Sequence, residues 1–394
     1  MVSARITVSA RITVSARTTP RATSRPARLV PAPARGTGAA LLASLLGALW
    51  LVAFASPASA HTVGGAGPTN YHTTLTGDPA VPGVRLSVVE NGNRVRLSAT
   101  AGFPILVEGY EKEPYLRLDT RGVWENRRSS ATYLNASRTG DDPGPADVVD
   151  PAAPPEWALV SAARGGQVVA FWHDHRVHWM GSADPPAVRA EPDRRHRVED
   201  WSVPLTVDGR PAVYTGTLDW IPGPSPWPWV AATVAVLAGT AALGLLRRAR
   251  WPVAAALAAL AAVDATHSAL VAAANADGRL DAFVWGNAMQ IAVWAGALAG
   301  TVLILRRSPT GLYLAVSAGL LLAVLGGLPD LGVFVRSGTP VVGPVPVVRV
   351  LTAVTLGAGV GLGLAAWLTL RRQPEISDSS EVSGVPGVSG LSVP

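Results

Sequence analysis

Between Pro228 and Leu370 five apolar stretches follow one another: Pro228 to Leu246, Pro252 to Asn275, Phe283 to Leu305, Gly311 to Leu328 and Val347 to Leu370. Each is close to the roughly 20 residues that an α-helix needs to cross a hydrocarbon core. In lipid, backbone polar groups must be satisfied within the segment, so these stretches predict an all-α bundle of five transmembrane helices over 227–372. The composition agrees, because 48% hydrophobic and only 15% charged residues suit neither a disordered chain nor an ordinary soluble one. Trp227 and Trp229 stand at the first entry, where interfacial aromatics are expected. The connections after the first, third and fifth stretches carry Arg247, Arg248 and Arg250, then Arg306 and Arg307, then Arg371 and Arg372, whereas the opposite connections carry Arg279 and Arg336. The positive-inside rule then places the protein in the plasma membrane as a multi-pass chain, with its N-terminal domain outside and a polar, disordered tail (373–394) in the cytoplasm. Gly357, Gly359, Gly361 and Gly363 form overlapping GxxxG spacings in the last stretch, which allow helices to approach closely.

The N-terminus agrees with that orientation. Residues 1–37 contain seven arginines and no acid, an apolar run follows from Gly38 to Ala55, and Ala58-Ser59-Ala60 ends it with small residues. A charged start, a moderate apolar run and an A-x-A site together predict a secretory signal peptide over 1–60. The hexapeptide VSARIT, repeated near the start, is too short for a solenoid unit and points to translation beginning nearer Val30. Cleavage after Ala60 would make His61 the first residue of the mature chain.

Residues 61–226 show short alternating apolar runs broken by Gly, Pro, Asn and Asp. Val84 to Val89 and Val95 to Thr100 flank Glu90-Asn91-Gly92-Asn93-Arg94, a hairpin in which Asn-Gly supplies positive φ. Further strands are expected at Ile105 to Val107, Tyr115 to Leu118, Gln167 to Trp172, Val203 to Val207 and Ala212 to Leu218, with a long exposed loop from Arg138 to Pro155. Strands at this spacing predict an all-β exported domain, Ig-like or a related β-sandwich.

Six of the seven histidines lie in that domain, and three fall in Trp172-His173-Asp174-His175-Arg176-Val177-His178-Trp179-Met180. If the strand continued through the run, His173 and His175 would share one face and Asp174, Arg176, His178 and Met180 the other. Two imidazoles on one face suit copper, zinc, nickel or iron, and the chain has no Cys to compete. An N-terminal His61 could add its α-amine and Nδ1, and one imidazole of the run would complete a nitrogen set suited to Cu(II), with His72 or Asp174 nearby. The expected metal ligands are thus His61, His173, His175 and His178, with Asp174, Met180 and His72 as lesser members. The competing reading makes the run a hydrogen-bonded aromatic patch with Asp174 and Arg176 as an ion pair.

The secretion signal, His61, the β-rich domain and the appended spans together resemble the CopC-type periplasmic copper proteins and the membrane-fused YcnJ-type copper uptake proteins. That resemblance implies a copper site built on a mature N-terminal His. A second resemblance rests on Gly109-Tyr110, Glu113 to Arg117, Gly122 to Asn126, Tyr133-Leu134-Asn135, Pro155-Glu156-Trp157 and the run Trp172 to Met180. These residues are similar to a family of actinobacterial membrane proteins without an assigned activity, which implies a shared fold and no mechanism.

Within the spans, Asp264 and His267 lie one turn apart in the second, and Asn287, Met289 and Gln290 begin the third. His267 and Gln290 would sit at similar depth and could face each other. Ionisable groups at such depth are costly and mark function or a polar clamp between helices. Asp330 and Arg349 flank the fourth and fifth spans on the outer side.

The formal charge of +6 does not indicate nucleic acid, because the positive excess sits in the signal segment and in the arginines that orient the helices. No phosphate-binding Gly pattern or nucleophile elbow is present. The leading expectation is a non-enzymatic envelope protein that binds copper for copper handling or uptake. The bilayer, a copper chaperone or other envelope protein, and a second copy of the chain are its expected partners. The alternatives are a metal-free interaction module and, last, a metal-dependent hydrolase with Glu125 or Glu156 as base.

Overall fold

The structure, a computed structural model, describes residues 67–274 and 280–372 apart from 101 and 103. The expected signal segment over 1–60, His61 and the tail from 373 lie outside them. An antiparallel two-sheet β domain is followed by an all-helical region with five helices long and apolar enough to cross a membrane.

The β domain has ten strands: β1 (Tyr71–Gly77), β2 (Val84–Val89), β3 (Arg94–Thr100), β4 (Ile105–Glu108), β5 (Pro114–Asp119), β6 (Gly122–Asn126), β7 (Trp157–Ala162), β8 (Gln167–Trp172), β9 (His196–Val207) and β10 (Arg210–Trp220). The larger sheet runs β1-β10-β9-β4-β5-β6-β7 and the smaller β2-β3-β8. Alternation sets the faces. On β3, Val95, Leu97 and Ala99 are buried while Arg94, Arg96 and Ser98 turn outward. They pack with Val84, Leu86, Val168 and Trp172 of the same sheet against Ile105, Leu118, Val203, Leu205 and Tyr214 of the other, which makes a sandwich with one core.

Two of the hairpin turns place residues at positive φ. Glu90, Asn91 and Gly92 have φ of 54°, 56° and 90°, and Asp208 and Gly209 have 49° and 75°. Positive φ at both central residues is the type I′ condition that matches strand twist, so Asp208-Gly209 closes the long β9–β10 ribbon. Three strands were not expected from the sequence: β1, β6 and β7. β1 and β7 are the edges of the larger sheet, and an edge strand half open to solvent need not alternate; β1 reads Tyr-His-Thr-Thr-Leu-Thr-Gly.

The helices are α1 (Trp227–Ala242), α2 (Arg250–Ala274), α3 (Ala288–Leu305), α4 (Pro309–Leu322) and α5 (Val345–Arg371). Two spans are less regular than their apolar patterns suggest. The third is broken at Asn287, after a short helix Leu280–Gly286. The fourth continues past α4 as a π-helical turn, Ala323–Gly327, and a 3-10 segment, Leu328–Phe334. α5 is the centre of the bundle, and its glycines alternate between neighbours. A Cβ on Gly357 would come within 3.1 Å of Val236 on α1, and one on Gly359 within 2.8 Å of Ala323 beyond α4. Residues two apart on a helix point to nearly opposite sides, so the overlapping GxxxG spacings serve two interfaces.

The two regions are joined at one end of the bundle. Thr69 and Gly338 exchange backbone hydrogen bonds of 3.1 and 2.8 Å. Asn70 Oδ1 accepts from Ser337 N at 2.9 Å, and the Ser337 hydroxyl donates to Ile221 O at 2.7 Å.

Candidate functional site

The histidine run does not continue its strand. β8 ends at Trp172, and the chain turns at once, with Val177 N donating to Asp174 O at 3.0 Å. The cause is the Asp174 carboxylate. It accepts from Arg176 backbone N (3.1 Å), Arg176 Nε (2.8 Å), Arg176 Nη2 (2.7 Å) and Trp172 Nε1 (2.8 Å), and it is fully buried. A carboxylate that bonds the backbone two residues on forms an Asx turn, which competes with strand continuation. His173 and His175 therefore do not share a strand face, which corrects that expectation. Burial would raise the Asp174 carboxyl, but the Arg176 hydrogen bonds and charge outweigh it and hold it below the usual carboxylate range. With its oxygens so engaged, Asp174 is the Arg176 ion-pair partner and is not available to a metal. Arg176 in turn donates to Glu108 O through both Nη atoms at 3.2 Å and lies 5.3 Å over the Tyr110 ring.

His173 and His175 each have one ring nitrogen engaged by a backbone carbonyl. His173 Nδ1 is 3.0 Å from Asn93 O and so ties the end of β8 to the β2–β3 turn. His175 Nε2 is 3.1 Å from Ser137 O, and its ring stacks on Tyr110 at 5.9 Å. His178 differs. Its ring is 4% exposed and meets His175 edge-on at 5.5 Å, and its Nδ1 lies 3.4 Å from Trp179 O, while its Nε2 is enclosed without a hydrogen-bond partner. Burial, with the Arg138 charge behind it, pushes the His178 imidazole down to about 4, so it is neutral at pH 7. Burial likewise lowers His173.

His178 lines a cavity of about 350 Å³ shared by the β domain and the bundle, whose wall includes Gly67, Tyr71, Asn91, Trp179, Asp184 and Arg336. Trp179 stacks on Tyr71 at 6.1 Å, and the Tyr71 hydroxyl donates to Asp184 Oδ1 at 2.6 Å. Tyr110, whose hydroxyl accepts from His175 N and donates to Asn135 Oδ1, supports the run, and Arg138 lines the cavity; none of the three was singled out as a site residue. The Gly109-Tyr110 pair was visible in sequence, yet nothing local ties it to residues 65 positions away. Met180 is 41% exposed on the surface. His72 is held elsewhere, its Nε2 2.8 Å from the Ser337 hydroxyl at the junction with the bundle. Among the described residues no three His, Asp or Glu side chains come together as a metal-binding group. Of the run's ring nitrogens, His178 Nε2 is the one enclosed without a partner among the described residues.

The intramembrane set divides in the same way. Trp294 Nε1 donates to Asp264 Oδ2 at 2.7 Å, while Asp264 Oδ1 lies without a partner against the π-helical turn at Gly326. His267 Nδ1 stands 3.6 Å from Asp330 Oδ2. Gln290 is buried, Met289 is 56% exposed and faces outward, and the Asn287 amide donates to Phe283 O at 2.9 Å across the helix break. The sequence grouped Asn287, Met289 and Gln290 with Asp264 and His267, and the fold buries Asn287 and Gln290 while Met289 points outward. Asp330 and Trp294 complete the cluster instead, because the irregular end of the fourth span carries Asp330 over His267.

Glu156 lies on the surface near Arg127 and Arg128, at 3.9 and 3.8 Å. Comparison of the chain with protein-family models, with curated proteins and with solved structures finds no match.

Proposed function

We propose that this is a multi-pass protein of the cell envelope whose β domain, on the outer side of the plasma membrane, binds copper at the junction cavity. The ligands in this reading are the α-amine and imidazole of His61 and Nε2 of His178. The observation that carries it is the enclosed, neutral, unpartnered Nε2 of His178 in the cavity wall. A buried polar atom without a partner is costly unless something fills the place. Gly67 lines the same cavity and is six residues after His61, a length of chain that spans up to about 20 Å. An all-nitrogen set without thiolate suits Cu(II), and the ion, when bound, would supply Lewis acidity at the site. His175, 5.5 Å away between ring centres, is the next imidazole in reach if it leaves Ser137 O. In this reading the bundle anchors the site for copper handling or uptake, with a copper chaperone or another envelope protein as the exchange partner.

A metal-free interaction module is the second reading, favoured by the hydrogen bonds that engage one nitrogen each of His173 and His175 and both oxygens of Asp174. Cu(II) titration of the full-length mature protein in nanodiscs separates the two. The copper reading expects binding tighter than about micromolar, lost in His178→Ala and weakened when one residue is added before His61. Binding absent, or indifferent to both changes, rejects copper and leaves the module.

A further inference from the structure

The end of the bundle away from the β domain holds a larger cavity, of about 890 Å³, between the ends of α1, α3 and α5 and the start of α2. Five arginines line it, Arg247, Arg248, Arg250, Arg307 and Arg372, and no acidic side chain does so among the described residues. Arg372 Nη1 is fixed there by Gly244 O at 3.1 Å and Leu245 O at 2.8 Å, the carbonyls that end the first span. Arg250 Nη1 is enclosed and has no partner.

Topology accounts for arginines at these helix ends, but that role is met by side chains spread into water and headgroups. It does not account for three connections converging on one cavity, nor for a guanidinium nitrogen shut away without an acceptor, which is a costly state. Guanidinium forks match phosphate oxygens in geometry and charge. The rim adds a second requirement. Trp251, Leu245 and Leu246 are 66%, 57% and 50% exposed beside the arginines, where the spans meet the headgroup layer, so an anion that fills the cavity and covers this rim carries apolar chains. We infer that the cavity binds the phosphodiester headgroup of an anionic phospholipid from the adjoining leaflet, with its acyl chains along Leu245, Leu246 and Trp251.

The test is native mass spectrometry of the full chain released from nanodiscs of phosphatidylcholine with or without phosphatidylglycerol. One phosphatidylglycerol should stay bound where phosphatidylcholine does not. Arg250→Gln combined with Arg307→Gln, neither of which removes the Arg372 anchor, should lower that retention roughly 25-fold, about fivefold for each arginine. Arg336→Gln, at the other end, should leave it unchanged. Equal retention of the two lipids by the unaltered chain overturns the inference, and this arm stands even if the double variant fails to fold. Unchanged retention in a folded double variant also overturns it. Displacement of the lipid by excess inorganic phosphate would make the cavity a free-anion site. Lipid retention that arises only after removal of residues 373–394 would give the cavity to the tail, whose Glu375, Asp378 and Glu381 follow Arg372. Either result overturns the lipid assignment.

Discussion

The β domain and the helical bundle solve the same packing problem with opposite materials. The sandwich core is filled by large side chains, Tyr115, Tyr214, Leu86, Leu97 and Ile105 among its fully buried members. The centre of the bundle is α5, whose buried residues include Gly357, Ala358, Gly359, Gly361, Gly363, Ala365 and Ala366. Water drives large apolar groups together in the first case. In lipid that drive is absent, so helices gain most from backbones that come close enough for dense van der Waals contact. The polar groups follow the same division. In the β domain the Asp174–Arg176 pair is wrapped in hydrogen bonds, whereas the bundle keeps its arginines at its ends and only a few polar groups inside.

The sharpest way to break that comparison is to remove Asp174. Asp174→Ala strips the Arg176 guanidinium of its charge partner, and breaking a buried pair in this way should cost about 3–5 kcal/mol, read as a shift in the urea midpoint by tryptophan fluorescence of the full chain in detergent. A loss under about 1 kcal/mol would mean that the turn after β8 is held by something else.

Acid should act next, and on the β domain first. His178 has its folded value lowered to about 4, so below about pH 6.5, the ordinary histidine value, the unfolded chain takes up a proton that the folded chain refuses. Stability is therefore complete above that pH and falls progressively toward pH 4, by roughly 3 kcal/mol at most. His173 and His72, both lowered by burial, act in the same direction. A pH series of urea midpoints should flatten in His178→Gln; an unchanged slope would place the acid sensitivity elsewhere.

The bundle should respond to added volume. Gly359→Ala puts a Cβ 2.6 Å from Gly319 O and 2.8 Å from Ala323 Cβ, an overpacking that should cost about 1–3 kcal/mol. Gly296→Ala, with open space around it, should instead gain a few tenths to about 1 kcal/mol from helix propensity. Melting of both variants in detergent checks the contrast, and equal effects would remove the claim that α5 packs through its glycines.

Much of this architecture is legible in local sequence. The β2–β3 hairpin, β8 and the Asp208-Gly209 turn follow from alternation and from residues that accept positive φ. The five spans follow from apolar length. The edge strands β1 and β7 were not legible, since pairing with one neighbour supplies their hydrogen bonds without demanding an apolar face. Nor was the break at Asn287, whose side-chain amide gives Phe283 O a second hydrogen bond beside that from its own backbone N–H. For the candidate site, the sequence concentrated attention on Trp172 to Met180, but its strand periodicity failed because one carboxylate two residues from an arginine closed a turn. The carbonyls that the three imidazoles meet belong to Asn93, Ser137 and Trp179, and distance along the chain hides two of those three.

By itself, then, the sequence determined the division into an alternating β region and five apolar helices, because hydrophobic periodicity and length are local properties that water and lipid each read directly. The tertiary structure alone decided that His178 has a ring nitrogen enclosed without a partner, that Asp330 meets His267, and that arginines from three connections line one cavity. Those are contacts between residues far apart in the chain, and a contact of that kind exists only once packing has brought both of its partners to one place.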